Sequence, residues 1–381
     1  MAYYLQRGSI PPKRHTQFRK PDDSLYREEH ISRGGFSGVY SNVYHIHPPT
    51  RVQAVKEFQA LSREVWDKPY RHHHFRTGQL KSEGDPIESR RILLFNDDVT
   101  VLKAHTTESM SRFYRNAHAD EVIFVHRGSG NFVSHLGTLP FKKGDYIVVP
   151  RGVIWQMNLD EPCRFLVFET SGPVEPPLRY RNPQGQLKEG APYCERDIRV
   201  PDFQEPRDDE GKFEVLVKVK EGIQTYVYNN HPCDVVGWDG YYYPWIFNIW
   251  DFEPITGRIH QPPPVHQTFE APGLVICSFV PRMFDTDPQA IPAPYSHSNV
   301  DSDEMIYYVE GHFMSRKGME EESISFHPPG PPHGPQPGKT EESIGKKETT
   351  EMAIMMDTFR PLNVGIACKD IDDPDYPTSW I

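Results

Sequence analysis

Three side chains in the C-terminal third have the types and spacing to hold a metal ion: His297, Glu304 seven residues later, and His333. Two imidazoles and one carboxylate are the donor set of non-haem Fe(II) oxygenases, in which they take one face of the ion and leave positions open for a substrate and O2. The sequence around them is repeated. Asp303-Glu304-Met-Ile-Tyr-Tyr-Val-Glu-Gly311 has a counterpart in Asp120-Glu121-Val-Ile-Phe-Val-His-Arg-Gly128, with a glycine seven residues past the glutamate in both. Pro328-Pro-Gly330-Pro-Pro-His333 likewise matches Pro150-Arg-Gly152-Val-Ile-Trp155. Tryptophan stands where the closing histidine should be. Although His118 and Glu121 resemble ligands, the first copy is expected to be structural and metal-free.

Strands and tight turns are what can position such residues. The chain of 381 residues carries 37 prolines and 27 glycines, which break helices and punctuate strands. Strands are expected at Arg91–Phe95, Val99–Leu102, Glu121–His126, Gly130–Val133, Tyr146–Val149 and Arg164–Phe168, and then at Phe213–Val219 and Gln224–Tyr228. A second β block follows, clearest at Leu274–Val280, Met305–Val309, Ser323–Phe326 and Met352–Met356. Residues 1–50 read as an arm or peripheral strands, and no long helix is evident. Alternating strand residues would point Glu304 into the lumen of a small barrel, with the Pro-Gly turn aiming His333 inward and His297 on the incoming loop. The expected division is an N-terminal β domain, 1–230, containing the degenerate repeat at about 91–170, and a C-terminal domain, 231–381, containing the metal site.

Formal charge is −11, which argues against nucleic acid as the main partner. Five scattered cysteines form no CxxC pair, and no apolar run reaches membrane-spanning or signal-peptide length. A soluble cytoplasmic protein is the expectation. Arg71-His-His-His-Phe75 reads as a solvated basic loop. Serine-hydrolase, zincin and nucleotide-binding motifs are absent from the sequence.

These residues resemble the two motifs of the cupin superfamily. His297-Ser-Asn299, Glu304 and Gly311 are similar to its first motif, with asparagine in place of the second histidine, and Pro328-x-Gly330-x-x-His333 to its second. The resemblance implies a mainly β, two-lobed bicupin-like architecture of jelly-roll or sandwich lobes with few short helices. A longer string resembles the homogentisate 1,2-dioxygenase family: Val235-Val-Gly-Trp-Asp-Gly240, Arg258-Ile-His260, Pro294-Tyr295-Ser-His297, Gly311-His312, and His327 through Pro335. It covers residues 230–360 well and the first 90 only loosely.

That resemblance implies Fe(II) held by His297, Glu304 and His333, with His260 as the acid–base residue and His327, Tyr295 and His333 near the substrate. A hydroquinone must lose a proton as it binds, and imidazole titrates in the right range. The implied reaction opens homogentisate with O2 to maleylacetoacetate, in tyrosine and phenylalanine breakdown. A homo-oligomer, trimer or hexamer, is implied as well. The chain departs from the family in the His297–Glu304 spacing, one residue longer, in Asp239 for a histidine and in Phe313 for a tyrosine that helps to hold the substrate carboxylate. Tyr295 or Arg316 could compensate. A bicupin dioxygenase for gentisate or a hydroxylated anthranilate, and a non-catalytic metal-binding bicupin, stand as alternatives.

Overall fold

A strand sends its side chains alternately to two faces, and in Asp303–Glu310 both faces are covered. Such a strand has to lie between two layers. The computed structural model describes residues 3–381 and shows what those layers are.

Twelve strands form two sheets of matching order. They are β1 (His73–Phe75), β2 (Arg91–Phe95), β3 (Val99–Thr106), β4 (Asp120–Arg127), β5 (Asp145–Val149), β6 (Cys163–Thr170), β7 (Trp245–Asn248), β8 (Gln267–Ala271), β9 (Leu274–Phe279), β10 (Asp303–Glu310), β11 (Ile324–His327) and β12 (Met352–Thr358). The first sheet runs β2-β3-β6-β4-β5-β7, extended at its two ends by Asn363–Val364 and Ile198–Arg199; the second runs β8-β9-β12-β10-β11-β1. All of these pairings are antiparallel. Register places Glu121 opposite Val149 and Glu169, and Glu304 opposite His327 and Asp357. The sequence repeat is therefore a repeat of fold.

The two sheets pack face to face on one shared core. Val122 and Phe124 of β4 meet Met305 and Tyr307 of β10, together with Met352, Ile354 and Met356 of β12. The hydroxyls of Tyr146 and Ser278 hydrogen-bond across the junction at 2.9 Å. On its other face, the first sheet lies on a seven-stranded sheet that includes Phe113–Asn116, Trp155–Leu159 and Glu210–Val219. That lumen is plugged by Phe132, Trp155 and Trp238. The other face of the second sheet carries Glu304, Ile306, Tyr308, Ala353, Met355 and Asp357 to a cavity of about 330 Å3. Loops form most of the opposite wall. One lobe is thus filled and the other hollow.

The expected β strands are present, nine of the twelve longer by one to four residues. The division at residue 230/231 does not separate the sheets. β7 completes the first sheet from beyond it, and β1 completes the second from the N-terminal part. Val235–Gly240 pairs with Leu5–Gly8 and Tyr40–His45, and Arg27–Ser32 adds to the same sheet, so these segments of the first 50 residues are peripheral strands. The Arg71–Phe75 reading needs correction: His73, His74 and Phe75 are almost fully buried and pair with Ile324–Phe326. Three adjacent imidazoles look solvated in sequence, but here each lies against a partner. His73 Nδ1 is 3.0 Å from Asp372 Oδ1, His74 Nδ1 is 3.6 Å from Asp373 Oδ2, and His72 Nε2 is 3.2 Å from the Pro332 carbonyl oxygen. The one α-helix among the described residues, Lys339–Ser343, is five residues long, and no helix is long and apolar enough to cross a membrane.

Candidate metal centre and substrate cavity

Register and one backbone bridge assemble the triad. Glu304 opens β10, whose cavity-facing residues are Glu304, Ile306 and Tyr308. His297 and His333 exchange two backbone hydrogen bonds of 2.8 Å, which fixes the two loops side by side over Glu304. The turn between β11 and His333 passes through Gly330 at φ +95°, a conformation glycine adopts without strain. One donor atom from each of His297, Glu304 and His333 lies within 4.8 Å of the others.

The donor chemistry fits a cation. Glu304 is buried, and burial alone would raise its pKa; the imidazoles of His297, His327 and His333 instead hold it well below the ordinary carboxylate range. The carboxylate in turn holds the His297 pKa up, against partial burial. His333 Nε2 is 3.3 Å from Glu304 Oε1, yet neither of its buried ring nitrogens has a well-directed hydrogen-bond partner. A buried carboxylate with lone-pair donors around it, and no Lys or Arg ion-paired to it among the described residues, makes a candidate cation site.

The first lobe supplies the contrast. Tyr114 and Trp155 pair there as His297 and His333 do here, and Tyr114 also precedes its glutamate, Glu121, by seven residues. Arg90 supplies the positive charge directly. Its guanidinium grips Glu121 through two hydrogen bonds of 2.9 and 3.0 Å, and Tyr114 and Asn116 donate to the same carboxylate. Beside Trp155 in the place of the closing histidine, Arg90 thus takes up the Glu121 charge itself. His118 is elsewhere, with Nδ1 accepting from the Lys220 backbone N–H.

The other sequence-derived candidates separate into two groups. His260 and Tyr295 are exposed, line the mouth of the cavity, and lie ring to ring at 5.2 Å. His327 and His333 do not line the cavity wall. His327 is fully buried behind Glu304, with Nδ1 at 2.7 Å from Oε1 and Nε2 at 3.0 Å from the Tyr376 hydroxyl. Burial drives its pKa down to about 3 despite that carboxylate. Of the two roles the sequence leaves open for His327, substrate contact or a hydrogen bond to the ligand set, this placement favours the second.

Sequence reading missed several neighbours. His72 lies 5.2 Å from His327, ring to ring. Asp357 lines the cavity across from Glu304, and burial beside that charge pushes its pKa up to about 7. Its only sequence signal was parity: Ala353, Met355 and Asp357 share one face of β12. Phe279, Phe313, Met314 and Val265 supply the apolar wall.

Two matched antiparallel sheets, one plugged lumen and one hollow lumen with a His-Glu-His triad, define a two-lobed cupin-type protein with one candidate metal centre among the described residues. Residues 41–249 match the family model described as homogentisate 1,2-dioxygenase N-terminal. The chain belongs to the homogentisate 1,2-dioxygenase family, and its activity class is that of a dioxygenase. It is 42% identical to a provisionally named dioxygenase of Saccharolobus solfataricus, over 100% of this chain and 99% of that one. It is 25% identical to the homogentisate 1,2-dioxygenase of Nitrobacter hamburgensis, over 89% of this chain and 81% of the other. It is also 25% identical to that of Homo sapiens, over 72% and 65%. The family match falls on the half of the chain whose motifs were hardest to read.

Proposed function

We propose that this chain holds Fe(II) at His297, Glu304 and His333 and cleaves the ring of homogentisate, or of a close 2,5-dihydroxyphenyl acid, giving maleylacetoacetate in the homogentisate case. The observation that carries the proposal is the triad at one end of a cavity walled by aromatic and aliphatic side chains. When bound there, iron supplies a shared template for an aromatic oxygen and O2 and a path for electron density between them. The protein does the rest. Phe279, Phe313 and Met355 hold the ring and exclude water. His260, at the mouth, takes the proton that a ring hydroxyl gives up, and Tyr295 beside it closes over the bound acid. His327 fixes the Glu304 carboxylate from behind. The same reading carries a place in tyrosine and phenylalanine breakdown and a homo-oligomer, which light scattering would size.

A second reading, ring cleavage of gentisate or a hydroxylated anthranilate, is favoured by Phe313. It is buried on the wall and gives no hydroxyl to a substrate acid.

Anaerobic reconstitution with Fe(II), then homogentisate and air, should produce the ring-opened chromophore with matching oxygen uptake. Uptake with gentisate or 3-hydroxyanthranilate alone would select the second reading. His333→Ala is expected to lose iron and oxygen uptake together, whereas His260→Ala keeps iron and loses about 100-fold or more in turnover. Full activity in His333→Ala would remove the assignment.

A further inference from the structure

One charge in the cavity has no counterpart. Arg316 lines the wall and is only 7% exposed. Its guanidinium donates to the backbone carbonyls of Ser315 and Gly334 and lies against the Trp380 ring, with the Tyr376 hydroxyl nearby. Its Nε has no hydrogen-bond partner, and among the described residues no carboxylate forms an ion pair with it. The other arginine on the wall is different: Arg282 is matched by Glu351 at 3.0 Å. Glu304 attracts it without touching it, and that carboxylate is already turned to three imidazoles. A buried guanidinium with no carboxylate in contact is costly, which makes this corner of the cavity electrostatically incomplete.

The charge count agrees. A divalent ion over Glu304 leaves one surplus positive charge, and Arg316 adds another. Even with Asp357 ionised, one remains. The nearby hydroxyls offer little in its place, since Tyr308 is already bonded to Ser325 at 2.9 Å and Tyr295 lies out at the mouth.

We propose that Arg316 is the anion anchor of this cavity, and that the substrate is an aromatic acid whose carboxylate pairs with it while a ring hydroxyl faces His297 and Glu304. This rests on the ring-cleavage reading above and names the residue that takes the acid group. Arg316 sits three residues past Phe313, so the same loop that presents a bare phenyl ring to the cavity also presents a full positive charge. A planar guanidinium suits a carboxylate bidentately, which lysine cannot reproduce.

The test is equilibrium binding, measured anaerobically by calorimetry on the metal-loaded protein with 2,5-dihydroxyphenylacetate and with its primary amide. Wild type is expected to prefer the acid by about tenfold to a hundredfold. Arg316→Gln should bring the two ligands within about threefold, and Arg316→Lys should recover part of the preference. Circular dichroism of each variant checks folding, and the Lys variant carries the comparison if Gln does not fold. An acid preference unchanged in Arg316→Gln overturns the anchor while leaving the ring-cleavage reading standing. Failure of wild type to bind either ligand, or gentisate, overturns both.

Discussion

At the scale of the residue, the two lobes offer alternative answers to one problem, a carboxylate buried at the start of a strand. The first lobe answers it with the guanidinium of Arg90, and the second leaves room for an exchangeable ion. Arg90→Met should therefore strand the Glu121 charge and cost about 3–5 kcal/mol of stability. Adding Glu121→Gln should return most of that, because the charge needing a partner is gone. A urea-unfolding double-mutant cycle measures both. If the single and double variants are equally unstable, the pair is not behaving as a compensated charge.

At the scale of the element, β1 shows how sequence far from the triad shapes it. Its three residues form the edge of the second sheet beside β11, which places His327. Phe75 is fully buried in the core shared by both sheets, so Phe75→Ala should cost about 3–5 kcal/mol. Chemical denaturation checks it, and a loss under about 1 kcal/mol would show that the edge is dispensable. Elements like β10 were legible because Met305–Val309 is an unbroken apolar and aromatic run closed by Gly311. Trp245–Asn248 was not, being buried at every position, nor was Val52–Ala60, exposed at every position; neither pattern has a period to detect. The triad was legible because its members sit in compact motifs. Arg316 was read only as a stand-in for a missing hydroxyl, and Asp357 was not seen at all. His327 could be read either as a substrate contact or as a hydrogen-bond support of the ligands, because which face a strand residue takes depends on a register that no local motif encodes.

At the scale of the whole molecule, acid is the predicted weakness. Burial lowers His126 and His266 to about 3 and His135 to about 4. Unfolded, each takes up a proton near 6.5. At these three groups the unfolded chain binds more protons between those values, so their contribution to stability falls as pH drops from about 6.5 toward 4; Asp357, raised to about 7, offsets one of the three. Glu29, held down to about 2, extends the loss below the ordinary carboxylate range. The melting temperature should decline by several degrees between pH 7 and 5 in scanning calorimetry; a flat profile would contradict the buried neutral imidazoles. The interchange of edge strands carries a further implication, for synthesis. The first sheet cannot seal its border until Asn248 has left the ribosome, and β1 waits unpaired while about 250 more residues are made. A cut between the two halves would strip one edge strand from each sheet, which ties the hollow lobe to its plugged twin.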